Sequence, residues 1–299
     1  MPYTPSYRRL SATELRGRSD EAQKHLASCD LCPRQCRVNR LQGEKGRCRV
    51  TATPVISSYN AHFGEERPLV GTGGSGTIFF THCNLHCIFC QNWEISQAGA
   101  GREISIEALA EIMLDLQKNG CHNINLVTPT PHVAAILAAL PLAVEKGLQL
   151  PLVYNCGGYE TIETLKLLRG IADIYMPDFK FWDAERAKLY CGPPDYPRRA
   201  REALLEMQRQ VGDLKTDPRG IAYRGLLVRH LVLPADLAGT GEIVRFLAEK
   251  ISPRCAVNIM AQYYPAYQAD NHPPLDRRLL PSEYRQAKKS ATLAGLRLI

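Results

Sequence analysis

Three cysteines lie close together in the stretch Thr81-His82-Cys83-Asn84-Leu85-His86-Cys87-Ile88-Phe89-Cys90-Gln91-Asn92, with three and then two residues between them. The stretch directly follows the apolar run 76–80. Such a run ending in a cysteine-rich turn is typical of a buried strand that carries a metal site at its C-terminal end. Thiolates at these short intervals can converge on one iron–sulfur cluster. Because a [4Fe-4S] cluster takes four ligands, three cysteines leave one iron open to substrate, which indicates catalysis.

The spacing Cys-x3-Cys-x2-Cys, with Phe89 before the last cysteine, resembles the signature of the radical S-adenosylmethionine (SAM) superfamily. The resemblance implies that Cys83, Cys87 and Cys90 hold a [4Fe-4S] cluster and that SAM binds the open iron. It also implies reductive cleavage of SAM to a 5′-deoxyadenosyl radical. A zinc knuckle or a set of buried thiols is the alternative, and the strand–loop–helix context favours the cluster.

Length and composition limit the class of protein. The 299 residues suffice for one large α/β domain and a small appendage, and the net charge of +7 is mildly basic. No apolar run reaches the length of a membrane span. Eleven cysteines without a secretory signal favour metal binding in a reducing cytoplasm over disulfides. We therefore expect a cytoplasmic protein that contacts no membrane, and nucleic acid is not an expected partner.

Residues 1–70 are predicted to form a separate N-terminal unit. A helix is expected at 11–27, and Pro33 and the glycines that follow should bend the chain after it. Four thiolates in this short span predict a second metal site, formed by Cys29, Cys32, Cys36 and Cys48. Zinc in a tetrahedral sulfur cage and an auxiliary iron–sulfur cluster both match this ligand set, and unmetallated thiols are a third possibility.

Residues 71–299 alternate strand and helix patterns. Strands are predicted at 76–80, 123–128, 151–155, 172–176, 225–233 and 256–260. Helices are predicted at 105–119, 132–146 (with a kink at Pro141), 159–169, 184–190, 198–211, 240–251 and from 282 onward. Repeated βα units imply a parallel sheet, and six units indicate an α/β fold built as an open, partial (βα)6 barrel. Active sites in such barrels collect at the C-terminal ends of the strands.

Polar side chains occur at every predicted strand end. After the cysteine loop, the later strand ends supply Thr128 and Thr130, Asn155, Cys156 and Gly157, Asp178 and Lys180, Arg229, and Gln262. Turn chemistry could explain any one of these groups, but six together favour a functional site.

This series also resembles the branch of the superfamily that contains the pyruvate formate-lyase activating enzyme, over most of residues 76–265. The resemblance implies that Asp178 and Lys180 contact SAM, with Lys180 near its carboxylate, and that Phe89 lies beside the adenine. The full set of residues expected to bind the cofactor is Phe89, Asn92, Thr128, Thr130, Asn155, Gly157, Asp178, Lys180, Arg229 and Gln262. The chain is most similar to a loosely defined group of activase-like proteins that share the N-terminal Cys-x2-Cys-Pro element.

One motif departs from that branch. There the second strand ends in a Gly-Gly-Glu run that binds the amino group of SAM, whereas this chain has Thr128-Pro129-Thr130. Hydroxyl groups and backbone carbonyls accept hydrogen bonds from an ammonium more weakly than a carboxylate does. The departure weakens the transfer of the activase role but not the interpretation as a SAM-binding protein.

The leading functional hypothesis is a radical SAM oxidoreductase that abstracts hydrogen from a partner protein, a peptide or a small molecule. Its electron would come from a flavodoxin or ferredoxin-like donor. Cys156 is the candidate catalytic residue, because a thiol facing the cavity could donate a hydrogen atom or mediate electron transfer; a small buried turn residue is the alternative. A hypothesis from another class is a non-catalytic iron–sulfur or zinc protein, either an electron carrier or an interaction module.

Overall fold

A ten-stranded sheet forms the centre of the computed structural model, which describes residues 3–299. Its strands are β1 (Val55–His62), β2 (Ser75–Phe80), β3 (Arg102–Glu103), β4 (Ile124–Val127), β5 (Leu152–Cys156), β6 (Ile174–Pro177), β7 (Lys215–Thr216), β8 (Ala222–Leu231), β9 (Ala256–Met260) and β10 (Arg297–Leu298). The helices are α1 (Ala12–Lys24), α2 (Arg67–Val70), α3 (Trp93–Ser96), α4 (Ile106–Lys118), α5 (Val133–Glu145), α6 (Ile162–Leu167), α7 (Ala184–Tyr190), α8 (Tyr196–Val211), α9 (Thr240–Phe246) and α10 (Pro281–Leu293).

The strand order is β10-β9-β8-β6-β5-β4-β2-β1-β3, and β7 pairs with β8. From β2 to β9 all neighbours are parallel. These are the six predicted strands, with ends shifted by only a few residues. The expectation of an α/β fold with a mostly parallel, open sheet is confirmed.

The central strands are buried on both faces, as parallel strands covered by helices are. Every residue of β5 and β6 is buried. Outside the sheet, α4 starts at Ser105, whose hydroxyl accepts from the Ala108 amide at 3.1 Å. The helix buries Leu109, Met113 and Leu116, which recur on one face, against the sheet. The sequence pattern therefore determines both where this helix begins and which face packs inward.

Helix α5 is apolar on nearly all sides because other elements cover it from both directions. Helices α1 and α4 both lie along α5, and α1 buries Leu15 and Ala22. Pro141 lies inside α5 without ending it. No helix within residues 3–299 combines the length and apolar character needed to cross a membrane.

The sequence patterns missed the antiparallel edge of the sheet. Strand β1 pairs antiparallel with β2, with Asn60 opposite Thr77, and β3 pairs with β1. Most of β1 is polar and only partly buried, so it gives no apolar run. Because β1 falls within 1–70, the predicted boundary at residue 70 comes after a strand of the main sheet.

The cysteine-containing segment 29–52 has little regular secondary structure and is folded by backbone hydrogen bonds. The Cys29 amide donates to the Val38 carbonyl and the Arg37 amide to the Cys29 carbonyl, both at 2.9 Å. Leu31 is buried in the same core as the barrel strands, and the Thr164 hydroxyl of α6 donates to its carbonyl at 2.6 Å. The segment thus packs onto the barrel rather than apart from it.

Two hydrogen bonds tie the cysteine loop and the residue that follows it to the chain beyond β9. The Gln91 side-chain amide donates to the Gln262 carbonyl at 2.9 Å. The Gln268 amide donates to the Ile88 carbonyl at 2.8 Å. The cysteine loop is therefore supported by a segment that is distant in sequence.

Candidate active site

The C-terminal ends of the parallel strands surround one cleft of about 120 Å³. The lining residues that the sequence predicted are Cys83, Cys87, Cys90, Asn92, Thr128, Asn155, Cys156, Gly157, Asp178, Lys180 and Arg229. The topology brings these residues together because the carboxyl ends of parallel strands lie at one edge of the sheet.

The cysteine loop presents its sulfurs with hydrogen-bond donors already in place. The Leu85 amide donates to the Cys83 Sγ at 3.4 Å. The Ser96 hydroxyl lies 3.1 Å from the Cys90 Sγ. Such contacts stabilise the thiolate form, which is the form that binds metal.

Burial works against ionisation of the same thiols. Burial raises the pKa of Cys83 to about 12, with Cys87 adding to the rise and Lys180 opposing it. The pKa of Cys87 is also raised, first by a hydrogen bond with the neighbouring Cys191 thiol and then by burial. Lys180 again lowers it. Ligation by these groups must therefore release protons, so metal affinity should increase with pH.

A carboxylate between two cations forms the opposite wall of the cleft. Asp178 Oδ2 accepts from Lys180 Nζ at 2.6 Å, and Asp178 Oδ1 accepts from Arg229 Nε at 2.9 Å. Burial alone would raise the pKa of Asp178, but Arg229 and Lys180 hold it below its usual value. Asp178 is therefore a carboxylate at neutral pH, fixed in position by two charge-assisted hydrogen bonds.

Tyr196, which the sequence did not identify, holds this wall in place. Its buried hydroxyl accepts from the Lys180 amide at 2.9 Å and lies 3.0 Å from the Asp178 carbonyl. The turn of Gly157 and Gly158 packs against the Asp178 backbone. Gly158 has a φ of +76°, and a Cβ there would lie 2.4 Å from the Asp178 carbonyl oxygen. The glycine pair is thus required by close packing as well as by backbone conformation.

Two further carboxylates, Glu65 and Glu66, enter the barrel interior from the segment before α2. A Glu65 oxygen lies 3.7 Å from Arg229, and Glu66 accepts from the Asn258 side-chain amide at 2.9 Å. Burial raises the pKa of Glu65 to about 7, while Arg229 acts in the opposite direction. From the sequence, Glu65 and Glu66 are expected to be solvated or salt-bridged carboxylates, with a role as acids the alternative, and no strand-end pattern marks them as part of the site.

Three predicted cofactor residues do not line the cleft. The Phe89 ring is buried against Phe181 and Tyr263, with centroids 5.8 and 6.3 Å away. Thr130 is buried and donates to Glu160 Oε1 at 2.5 Å. Gln262 directs its side-chain amide to the Met260 sulfur at 3.3 Å. Each is held by a partner of its own outside the cleft.

Glu160 is a buried acid directly behind the cleft wall that the sequence analysis did not single out. It is 1% exposed, and its carboxylate accepts from the Thr130 hydroxyl and, at 3.2 Å, from the Tyr154 hydroxyl. Burial raises its pKa to about 7, although the Thr130, Tyr154 and Cys156 side chains act in the opposite direction. The thiol of Cys156 therefore has a carboxyl group beside it that can exchange a proton near neutral pH.

The raised pKa of Glu160 predicts a measurable pH dependence of stability. Since the folded protein holds this proton more tightly than the unfolded chain, the stabilisation is complete below pH 4.5 and is lost as the pH rises toward about 7. Between these values we expect the wild type to lose on the order of 3 kcal/mol more unfolding free energy than Glu160→Gln. Urea unfolding across this pH range checks the prediction, and parallel curves for the two proteins would contradict it.

The four N-terminal cysteines meet at a neighbouring enclosed pocket. Cys29, Cys32, Cys36 and Cys48 all line it, together with Asn84 and Thr130. Within residues 3–299, no three His, Cys, Asp or Glu side chains are arranged to hold one metal ion. This holds equally for the cysteines at 83–90; in a [4Fe-4S] cluster each thiolate binds a different iron, so its ligands do not meet at a point.

Comparison with known families identifies the cleft. Residues 77–215 match the model of the radical SAM superfamily. The match includes the cysteine loop and the Asp178–Lys180 wall. These residues form a radical SAM superfamily domain. Such a domain implies a [4Fe-4S] cluster and SAM as cofactors, with cleavage of SAM through the cluster as the shared chemistry.

Relatives extend the similarity beyond the matched domain. The uncharacterized protein MJ0674 of Methanocaldococcus jannaschii is 34% identical over 287 residues, which cover 93% of this chain and 78% of that protein. MJ0808 of the same organism is 28% identical over 177 residues, or 49% of this chain and 50% of MJ0808. A radical SAM methyltransferase from Sphaerobacter thermophilus aligns with a TM-score of 0.51 and 14% identity over 75% of this chain and 65% of its own. At that identity the similarity shows a shared fold.

The donor set of the cleft matches these radical SAM cofactors. Cys83, Cys87 and Cys90 are the thiolate ligands that an iron–sulfur cluster requires. Lys180, on the facing wall, favours the ionised form of Cys87. Lys180 and Arg229 are cations that suit a carboxylate, and Asp178 can accept hydrogen bonds from a ligand. Cluster and SAM can therefore be held by opposite walls of one cleft.

Proposed function

We propose that the protein reductively cleaves SAM and uses the resulting radical to abstract hydrogen from a substrate, with a protein or peptide as the first candidate. The observation that carries the proposal is the convergence of Cys83, Cys87 and Cys90 with Asp178 and Lys180 in one cleft. When bound, the cluster and SAM supply the one-electron cleavage that yields the 5′-deoxyadenosyl radical.

The chain's own residues contribute binding and orientation. The three thiolates hold the cluster, and the fixed wall of Asp178, Lys180 and Arg229 orients the methionine part of SAM through charge-assisted hydrogen bonds. Asn155 and Thr128 add polar groups at the neighbouring strand ends. Since these side chains are already positioned by packing, little reorganisation is needed when the ligand binds.

Cys156 is proposed as the catalytic residue. Its thiol lines the cleft and contacts the Glu160 carboxyl group. In the proposed step the S–H hydrogen atom passes to the substrate radical. One electron from the external donor and a proton from Glu160 then restore the thiol. We expect Cys156→Ala to retain cleavage of SAM but to lose incorporation of solvent deuterium into the product, which mass spectrometry can measure.

The electron donor is proposed to be a flavodoxin or ferredoxin-like protein. Exposed Lys45, Arg47 and Arg49 lie near the cysteine loop, where they act on His82 and His86. A basic surface at this point would attract an acidic electron carrier and position it near the cluster.

The test of the proposed function is direct. Anaerobically reconstituted and reduced protein should convert SAM to 5′-deoxyadenosine and methionine, whereas unreduced protein should not. A zinc-only protein with no response to SAM would instead favour the non-catalytic metal protein. Activase-like action is the alternative in which the substrate radical persists and receives no hydrogen atom from Cys156. A glycine-deuterated protein substrate tests it: deuterium in 5′-deoxyadenosine together with a lasting glycyl radical signal in electron paramagnetic resonance would favour this alternative over the Cys156 step.

A further inference from the structure

We propose that Cys29, Cys32, Cys36 and Cys48 hold a negatively charged thiolate–metal centre whose charge is balanced by buried Arg40. This goes beyond the proposed function and does not depend on it. An iron–sulfur cluster has the required chemistry, because its thiolates and sulfides carry an excess of negative charge and its ligands bind different irons. A single zinc ion would need the four sulfurs to meet at one point, which these cysteines do not do.

Arg40 is the observation that requires a negative charge in this pocket. The residue is only 3% exposed. Its guanidinium donates to the Thr51 carbonyl at 2.7 Å, to the Pro131 carbonyl at 2.6 Å and toward the Cys29 Sγ at 3.7 Å. None of its hydrogen-bond partners in residues 3–299 is a carboxylate. A buried guanidinium without a counter-ion is strongly destabilising, whereas thiolates bound to metal would supply one.

A second arginine adds positive charge at the same pocket. Arg34 lines the pocket, and its Nε donates to the Asn84 carbonyl at 2.9 Å. Its Nη2 is buried without a hydrogen-bond partner in the described residues and lies beside Gly192, where an added Cβ would be 3.1 Å away. A second cation at this pocket increases the need for a negative charge there.

The backbone around the pocket is shaped to approach sulfur closely. A Cβ on Gly46 would lie 2.8 Å from the Cys36 Sγ, so only glycine leaves Cys36 in place. The Arg47 amide donates to the same sulfur at 3.3 Å. Gln35, Arg37 and Arg49 all have positive φ angles, at 43°, 57° and 58°. This unusual backbone is maintained without regular secondary structure, as expected where ligation holds the loops.

The proposed centre adjoins the cleft of the radical SAM domain. Asn84 lines the four-cysteine pocket, while its neighbour Cys83 lines the cleft. The Asn84 side-chain amide also donates to the Tyr159 carbonyl at 2.7 Å. Arg34 and Asn84 therefore connect the two sites through one hydrogen-bonded wall.

Metal content is measured in full-length protein carrying Cys83→Ala, Cys87→Ala and Cys90→Ala, so that failure of the cleft cannot affect the result. After anaerobic reconstitution we expect about four iron atoms per chain with an iron–sulfur spectrum. Further replacement of the four N-terminal cysteines by serine should remove that iron. A triple variant that holds no iron, or that holds one zinc ion in its place, overturns the proposal.

The role of Arg40 as the charge partner is tested in the same protein, which carries the three alanine substitutions in the cysteine loop. Arg40→Met should speed metal loss to a chelator at least about tenfold, as expected for a residue that supports metal ligands. Arg37→Met is the matched control, because Arg37 lies in the same loop but its side chain is 56% exposed and pairs with Asp30. Far-UV circular dichroism verifies folding of each variant. Equal rates of metal loss in both variants overturn the role of Arg40.

A thermal-unfolding cycle adds a readout that lost packing alone would not produce. In metal-loaded protein, Arg40→Met should lower the melting temperature. In the four-serine background the same substitution should lower it less or raise it, because the buried cation no longer has a counter-ion. Equal shifts in the two backgrounds would mean that Arg40 acts only through its backbone hydrogen bonds, which overturns the proposal.

Discussion

Cys87→Ala should release less than about one-hundredth of the wild-type 5′-deoxyadenosine from reduced, reconstituted protein. Loss of even an outer residue of a metal site typically costs 10–100-fold, and Cys87 is a direct ligand in the proposed site. The thiol is buried, and the positive charge of Lys180 favours its ionised form. Liquid chromatography of the nucleoside product, together with iron analysis, measures both expected losses.

The matched control for this substitution is Cys121→Ala. Cys121 is also a buried thiol, but it lies before β4, at the end of the strands remote from the cleft. The control should keep its iron and its cleavage activity, which separates loss of a ligand from loss of a buried sulfur. Undiminished cleavage by Cys87→Ala would refute the assignment of the cleft.

Asp178→Asn is expected to weaken both the fold and SAM binding. Removing the carboxylate leaves Lys180 and Arg229 close together with far less compensating charge. Breaking a buried pair of this kind typically costs about 3–5 kcal/mol, and the lower end applies because the Asp178 side chain is 16% exposed. Urea unfolding should show that loss, and the KM for SAM should rise because the cations are no longer held in place.

The pH dependence of this variant has a definite sign. The pKa of Asp178 is lowered in the folded protein, so its stabilisation is present above the ordinary carboxyl pKa of about 3.9 and is lost as the pH falls below it. The stability gap between wild type and Asp178→Asn should therefore narrow in acid. Asp115→Asn, on the exposed face of α4, is the control and should cost little. A gap that widens in acid would contradict this account.

The parallel core could be predicted because its strands are short apolar runs between helices with clear start signals. Strand β5 and helix α4 show this: the first is buried throughout, and the second begins at Ser105. Strand β1 could not be predicted, because a polar edge strand at 55–62 resembles a loop in sequence. Local patterns predict an element only when its own residues carry the burial signal.

The residues of the candidate site also fall into two groups, those that the sequence pattern could predict and those that it could not. Asp178, Lys180 and Arg229 could be predicted because strand ends in a parallel sheet must meet. Glu160 and Arg40 could not, because their importance comes from burial and from partners that lie far away in sequence: Arg40 donates to Pro131. Such long-range contacts leave no mark in a local sequence pattern.

The hydrogen bonds that join Gln91 to Gln262 and Ile88 to Gln268 have a consequence for biosynthesis. The ribosome makes the loop long before it makes the residues that secure it. On a nascent chain the three sulfurs would lack this support. Assembly factors that deliver iron would therefore meet a cysteine loop that is not yet held in its folded position. Maturation is therefore expected after translation has passed this distal segment, and truncations that remove it should accumulate as iron-poor protein.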